Sequence, residues 1–269
     1  MNSISIDERT PVLALHCSLG SGAQWRSLAK AMPEREVIAP DLLGYGNAPA
    51  PEVEDCFSLD DEVDAIEKQL IGRLGIRQPV HLVGHSYGGA VAWRFALRNP
   101  GRVKTLTLFE PVTLWLVRQH PAAAPFRALA RLTASDLEVG LTTQAARRFI
   151  DFWSGSGAFA SLAADRQAAL AERMSKVRLD FAACLGEPFS LPAPGHLNMP
   201  ALLMSSIGAL EALRANMRIL RSVLNECSTA EVAGGHMAPV ENRAQVDAII
   251  SCFIKNSEHQ TAAREELFA

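Results

Sequence analysis

The chain reads as an α/β protein: a mostly parallel central sheet with helices on both faces and a helical insertion. Three observations predict this. Short β-branched or leucine-rich runs recur at residues 12–17, 37–41, 80–86, 103–109, 201–205 and 229–233. Segments with helical periodicity separate most of them, and strands alternating with helices imply a parallel sheet covered on both sides. The alternation then stops after Pro111, and residues 112–196 are rich in Ala, Leu and Arg without a convincing strand.

Taken in order, eleven residues precede the first strand. Residues 59–74 form a helix, because Leu59, Val63, Ile66, Leu70 and Leu74 fall on one face. Asp60, Asp61 and Glu62 in its first turn suit the helix dipole. The apolar strand from Val80 runs through a Gly-His-Ser-Tyr-Gly turn directly into another helix. Residues 112–196 read as a helical cap, closed by the stretch PFSLPAPG before the sheet resumes near Met199. The expected organisation is a core of residues 1–111 and 197–255, a cap of 112–196, and a polar tail of 256–269 that frays or docks loosely.

With 269 residues, 48% of them hydrophobic, and a net charge of −3, the chain can bury the core of a single domain. No clustered basic face points to nucleic acid, and apolar runs such as VLALHC and VKTLTLF are far shorter than a membrane span. Asp7 and Glu8 stand where a secretory peptide has a basic and then apolar stretch, so the expected location is cytoplasmic. Five scattered cysteines without CxxC spacing imply neither a disulfide framework nor a zinc site, and are expected as buried reduced thiols.

The turn at residues 84–88 carries the first chemical signal. Between a buried strand and a helix, G-x-S-x-G has a mechanical reason. Ser86 must take a strained turn, and Gly84 and Gly88 remove the side chains that would collide there. The hydroxyl is left raised above the sheet at a helix N-terminus.

This pattern resembles the α/β-hydrolase family, and further motifs extend the likeness from about Val12 to Phe253. LHCSLGSGAQW at 15–25 looks like the family's oxyanion loop, APDLLGYG at 39–46 its Asp-x-x-Gly-x-Gly turn, and GGHMAPVEN at 234–242 its histidine loop. Two departures are visible: Cys17 where glycine is usual, and Leu43 where an arginine is common.

A serine hydroxyl needs a neighbouring imidazole to take its proton. His236 is the candidate, following the last strand in a Gly-Gly turn that the resemblance sets against the nucleophile. His81 lies inside a strand, His120, His196 and His259 lie in the cap, its exit or the tail, and His85 is expected to turn away from Ser86. His16 is expected to support the oxyanion loop. The amide of Tyr87, at the helix start, is one expected oxyanion donor, and by resemblance the amide of Ser18 is the other.

The acid is the puzzle. Its usual family position, a few residues after strand 201–205, is occupied by Gly208, and Glu211 lies one helical turn further on. In some relatives the acid instead leaves the end of the strand that follows the nucleophile helix. Here that residue is Glu110, which ends an otherwise apolar strand at a carboxyl edge where catalytic groups of open α/β sheets collect. Glu110 is therefore the expected acid, with Glu211 as the alternative.

The expected function is that of a serine hydrolase cleaving a small carboxylic ester through an acyl-enzyme, with neither metal nor organic cofactor. Carbon–carbon cleavage of vinylogous diketones, lactone opening, and a non-catalytic ligand-binding role on the same scaffold stay open. Trp115, Phe126, Phe149, Phe152, Trp153 and Phe159 give the cap apolar surface suited to an apolar or aromatic small molecule, although most are expected to pack cap helices together. Arg118, Arg131, Arg147 and Arg148 offer partners for a substrate carboxylate, with solvated helix faces as the plainer reading. Homo-oligomerisation stays open.

Overall fold

The computed structural model describes residues 9–52, 55–73, 75, 77–187, 191–193 and 195–268. Six strands form one sheet: β1 (Val12–Leu15), β2 (Val37–Ile38), β3 (Val80–His85), β4 (Val103–Phe109), β5 (Ala201–Ser206) and β6 (Cys227–Val232). Their spatial order is β2-β1-β3-β4-β5-β6, and every neighbouring pair is parallel. The six expected strands all occur, with ends shifted by up to three residues. β1 and β3 are buried on both faces, which is why they read as continuous apolar runs rather than alternating ones.

Strand residues divide between two cores. Leu13, Leu15, Leu82, Leu106 and Leu108 face one side, against α2 (Leu59–Lys68), α3 (Tyr87–Arg98) and α8 (Glu211–Val223). Val12, Ala14, Val83 and Met204 face the other, against α1 (Arg26–Ala31) and the long terminal helix α10 (Arg243–Phe268). Asp61 accepts a hydrogen bond from the Ser58 amide at 2.8 Å and so fixes the start of α2, which ends in a π turn at Gln69–Arg73. The helix end expected at Leu74 lies outside the described residues, as do Asp7, Glu8 and part of the PFSLPAPG stretch.

Between β4 and β5 the chain forms α4 (Ala124–Glu138), α5 (Thr142–Ser154), α6 (Ala164–Ala171) and α7 (Met174–Gly186), the region read as a cap. Its aromatics pack on one another, with Phe126 5.2 Å from Phe152 and 5.4 Å from Trp153 between ring centroids. Among the described residues no helix is long and apolar enough to cross a membrane.

The tail departs from expectation. Helix α10 continues through residue 268, and its buried stripe Val246, Ile250, Ile254 is extended one turn further by Glu258. Each of those three aliphatics contributes about 1.5–3 kcal/mol by burial. Glu258 accepts hydrogen bonds from the buried Arg35 guanidinium at 2.9 and 2.7 Å and from His81 Nε2 at 3.1 Å. A buried guanidinium without a partner would be costly, so Arg35 holds the helix down past Lys255. The cysteines also divide differently: Cys17 and Cys184 are buried, Cys227 is half-buried, and Cys56 and Cys252 are exposed.

Candidate active site

The carboxyl ends of β3, β4 and β5 converge on one point. His85 pairs with Phe109 and Phe109 with Met204, so the residues that follow leave the sheet side by side. Ser86 does so with φ 56° and Glu110 with φ 40°, and with Leu19 at φ 60° these are the only non-glycine residues of positive φ among those described. Such backbone costs about 1–3 kcal/mol per residue and persists only where surrounding structure imposes it. All three lie at one site. The elbow is held by the Ser86 amide donating to Phe109 O at 3.0 Å and the Val112 amide to Ser86 O at 3.1 Å.

The elbow glycines are required by close approach. A Cβ on Gly88 would stand 2.4 Å from His16 O and 2.5 Å from Leu15 O, and one on Gly84 would stand 2.4 Å from Gly88 O. These contacts are with backbone, which cannot swing aside.

Ser86 Oγ lies 2.9 Å from His236 Nε2, and His236 Nδ1 lies 2.7 Å from Glu110 Oε2. The other oxygen, Glu110 Oε1, accepts from the Ser206 amide at 2.7 Å and from its hydroxyl at 2.6 Å. Because Glu110 is an acceptor there, the proton of neutral His236 sits on Nδ1, which leaves Nε2 to accept from the serine. Burial pushes the Glu110 carboxyl upward, but its bonds to His236 and Ser206 outweigh this and hold it below the usual glutamate range. Glu211 is elsewhere: it is exposed on α8 and paired with Arg218 at 2.6 Å. Gly208 sits in the loop before α8, its amide bonded to Gly234 O.

Behind His236 is a hydrogen-bond chain that sequence reasoning missed. The Cys17 amide donates to Gln24 Oε1 at 3.2 Å, Gln24 Nε2 to His85 Nδ1 at 3.1 Å, and His85 Nε2 to His236 O at 2.9 Å. His85 turns away from Ser86 and ties the loop at 16–20 to the loop carrying His236. Full burial keeps its imidazole neutral, with a pKa well below the ordinary value. His16 has a similar bracing geometry. It donates from Nδ1 to Cys17 O at 2.7 Å and accepts from the Leu42 amide at Nε2 at 3.0 Å, and burial lowers its pKa to about 4. A neutral His16 thus joins the loop at 16–20 to the Asp41 turn. Asp41 in turn accepts from the amides of Gly22 and Asn47, both at 2.8 Å. Burial pushes the Cys17 thiol up to about 12, so it packs as an uncharged group.

Tyr87 opens α3, where the first amides of a helix have no partner within it. Ser18 borders the same space, and its hydroxyl donates to Asp180 Oδ2 of α7 at 2.5 Å. Asp180 belongs to a buried polar cluster with Lys176 of α7 and Glu62 of α2, the Lys176 ammonium lying between the two carboxylates. Tyr45 OH donates to Asp180 and Tyr87 OH donates to Glu62. The ammonium also lies over the rings of Tyr45, Phe57 and Tyr87 at 4.5–4.9 Å. Leu43, despite lacking the usual guanidinium, is tied to the same cluster by its amide, which donates to Glu62 Oε2 at 3.0 Å.

A cleft of about 450 Å³ opens over Ser86 and His236. Trp153 of α5 forms part of its wall and stacks on the His236 ring, with centroids 3.9 Å apart and planes 26° apart. Of the six cap aromatics named above, Phe149 and Trp153 line this cleft, while Trp115, Phe126 and Phe159 are buried among helices. Arg118, Arg131, Arg147 and Arg148 do not line it, and Arg148 pairs with Asp136 at 2.7 Å.

A profile of the family described as the alpha/beta hydrolase fold matches residues 10–179. The chain belongs to the α/β-hydrolase fold family. Among curated α/β-hydrolase relatives, Lipase LipV of Mycobacterium tuberculosis is 40% identical over 102 residues, which are 37% of this chain and 36% of that protein. Epoxide hydrolase 2 of Siraitia grosvenorii is 35% identical over 134 residues, 48% of this chain and 41% of that protein. The chain thus spans well under half the length of these relatives. Solved α/β-hydrolase structures cover nearly all of it. A thermophilic esterase from Thermogutta terrifontis superposes with a TM-score of 0.70 at 21% identity, over 93% of this chain and 90% of that one. A haloalkane dehalogenase variant from Bradyrhizobium elkanii does so with a TM-score of 0.70 at 22% identity, over 97% and 93%. At these identities the likeness is one of fold.

Proposed function

We propose that the protein is a serine hydrolase that cleaves a carboxylic ester through an acyl-enzyme. The observation that carries this reading is the continuous chain from Ser86 Oγ through His236 to Glu110, on a strained elbow. Ser86 Oγ attacks the carbonyl carbon while its proton passes to His236 Nε2. The resulting oxyanion is met by the amides of Tyr87 and Ser18, donors of a kind worth about 3–4 kcal/mol of barrier each. Collapse expels the alcohol, which takes the proton from His236. Water, deprotonated by His236, then attacks the acyl carbon, and the acid leaves as Ser86 regains its proton.

Glu110 holds His236 in the receptive tautomer and stabilises the imidazolium. The lipase and esterase names among the relatives agree with ester cleavage. Epoxide hydrolases and haloalkane dehalogenases use a carboxylate nucleophile, whereas the elbow here carries Ser86, which argues against their chemistries. Carbon–carbon and lactone hydrolysis share the same groups and are distinguished by substrate.

The test is treatment of folded protein with a fluorophosphonate, followed by peptide mapping and a panel of esters, lactones and vinylogous diketones. An adduct on Ser86 with turnover of the esters is the expected result. An unmodified Ser86 in folded protein favours a ligand-binding role instead.

A further inference from the structure

The cleft above Ser86 has an asymmetric lining. Much of its wall is apolar, from Phe149, Ile150, Trp153, Leu162, Leu170 and Val240, and its charged side chains are all guanidinium groups. Arg166 comes from α6, Arg173 from the residue before α7, and Arg243 from the start of α10, so three elements converge on it. Among the described residues neither Asp nor Glu lines this cleft, in a chain where acids outnumber bases 29 to 26; Asp180, paired with Lys176, lines the smaller pocket that adjoins it at Ser18, Ser86, Phe149 and Trp153.

Several arginines elsewhere are paired with carboxylates: Arg35 with Glu258, Arg94 and Arg98 with Asp60, Arg148 with Asp136, Arg218 with Glu211. Among the described residues no carboxylate pairs with Arg166, Arg173 or Arg243. Arg243 is oriented by donating from Nε to Val240 O at 2.8 Å, which leaves its terminal nitrogens for another acceptor. Arg166 and Arg243 are exposed and Arg173 is half-buried, while Ser86 and His236 are 6% and 7% exposed. The guanidinium groups therefore ring the solvent side of a cleft whose reactive groups lie at its floor.

We infer that the substrate is an amphipathic ester bearing an anionic group, a carboxylate or a phosphate, which Arg166, Arg173 and Arg243 receive while its apolar segment lies along the cleft wall. Guanidinium groups bind either anion through paired N–H donors. Converging like charges also gain from an incoming anion that relieves their repulsion, although Arg243 already feels the carboxylate of Asp247 one turn along α10. This inference rests on the hydrolase reading for the word substrate, but the anion site itself does not depend on turnover.

The test compares esters of one chain length: 4-nitrophenyl hexanoate, which is neutral, the mono-4-nitrophenyl ester of adipic acid, and 4-nitrophenyl 6-phosphonooxyhexanoate. The readout is the ratio of kcat/KM for each anionic ester to that for the neutral one, in wild type and in Arg166→Gln/Arg173→Gln/Arg243→Gln. The wild-type ratio should exceed that of the triple variant by about tenfold in dilute buffer and shrink in 0.5 M salt, because exposed charge pairs are individually weak and screened. The adipate and phosphate arms tell which anion is preferred. Circular dichroism checks that the triple variant is folded, and single variants replace it if it is not.

Independently of turnover, calorimetry on Ser86→Ala should show hexyl phosphate or hexanoate binding at least tenfold tighter than hexanol, with the difference lost in the added triple variant. Equal ratios in wild type and triple variant, or equal binding of hexanol and the anions, overturn the inference. If Ser86 takes the fluorophosphonate but no anion preference exists, the hydrolase reading stands alone. If Ser86 stays unlabelled while the anions bind through the arginines, the site stands and the hydrolase reading falls.

Discussion

Replacing Glu110 by glutamine changes one oxygen to an NH₂ group and tests the acid through the position of a single proton. Glu110 Oε1 faces two donors of Ser206, one of them a fixed backbone amide at 2.7 Å. A glutamine that turned its NH₂ toward that amide would leave a buried donor unsatisfied, at a cost of about 1–3 kcal/mol. It therefore turns its carbonyl to Ser206 and its NH₂ to His236 Nδ1. That contact requires Nδ1 to be bare, which moves the imidazole proton to Nε2 and removes the acceptor for Ser86. Reaching the reactive tautomer costs the flip, and the imidazolium also loses a charge-assisted hydrogen bond of about 1.5–3 kcal/mol. The sum, about 2.5–6 kcal/mol, corresponds to a kcat lower by about 10² to 10⁴ at nearly unchanged KM. The assay is steady-state hydrolysis of a 4-nitrophenyl ester, with Glu211→Gln as the companion. Glu211 is exposed on a surface pair, so its variant should stay within twofold of wild type. A Glu110→Gln enzyme within tenfold of wild type, or a crippled Glu211→Gln, refutes the reasoning.

Other outcomes follow from the same contacts. Lys176→Met leaves Glu62 and Asp180 buried without their cation, which should cost about 3–5 kcal/mol and lower Tm by about 10 °C in scanning fluorimetry. Adding Glu62→Gln should recover part of that loss, so a double variant no better than the single one contradicts the pairing. Burial raises the Glu258 carboxyl, but its bonds to His81 and Arg35 prevail and set it at about 2. A depressed carboxyl stabilises the fold above its unfolded value, near 4.3, and that share is lost as pH falls toward 2. The drop in Tm between pH 4.5 and 2.5 should therefore be shallower in Glu258→Gln than in wild type. Finally, a thiol reagent at pH 8 should label Cys56 and Cys252 quickly and spare Cys17 and Cys184 until denaturant is added, as read by peptide mapping.

What could be read from the chain was what short segments decide. The turn at 84–88 announces itself because the glycines, the serine and the flanking strand and helix are consecutive, and the collision that demands glycine at 84 is with Gly88 O inside the motif, whereas Gly88 is required by Leu15 and His16, about 70 residues earlier. Glu110 was legible as a charge at the end of an apolar strand, and the strand registers bring it beside Ser86. Its partner Ser206 was not legible, since that contact spans 96 residues. The Ser18–Asp180 bond, 162 residues apart, and the Lys176–Glu62 pair, 114 apart, were hidden for the same reason. The cap arginines show the limit most clearly. Arg118, Arg131, Arg147 and Arg148 lie nearer the start of the insertion, but which helix face meets the cleft is set by how the cap helices pack. That packing presents Arg166 and Arg173, with Arg243 from the core, instead. The tail beyond Lys255 looked unanchored because its anchor, Arg35, lies more than 200 residues earlier.

Ser86 carries a backbone conformation, φ 56° and ψ −117°, that a side-chain-bearing residue adopts only under constraint. On the proposed mechanism the reaction sits at a place where the folded chain stores free energy, and the element most needed for turnover is one the scaffold would be steadier without. Glycine at position 86 would relax the turn by about 1–3 kcal/mol, offset in part by about 0.4–1 kcal/mol for the freer unfolded chain and by loss of the bond to His236. On that mechanism, selection for robustness and selection for catalysis pull this residue in opposite directions.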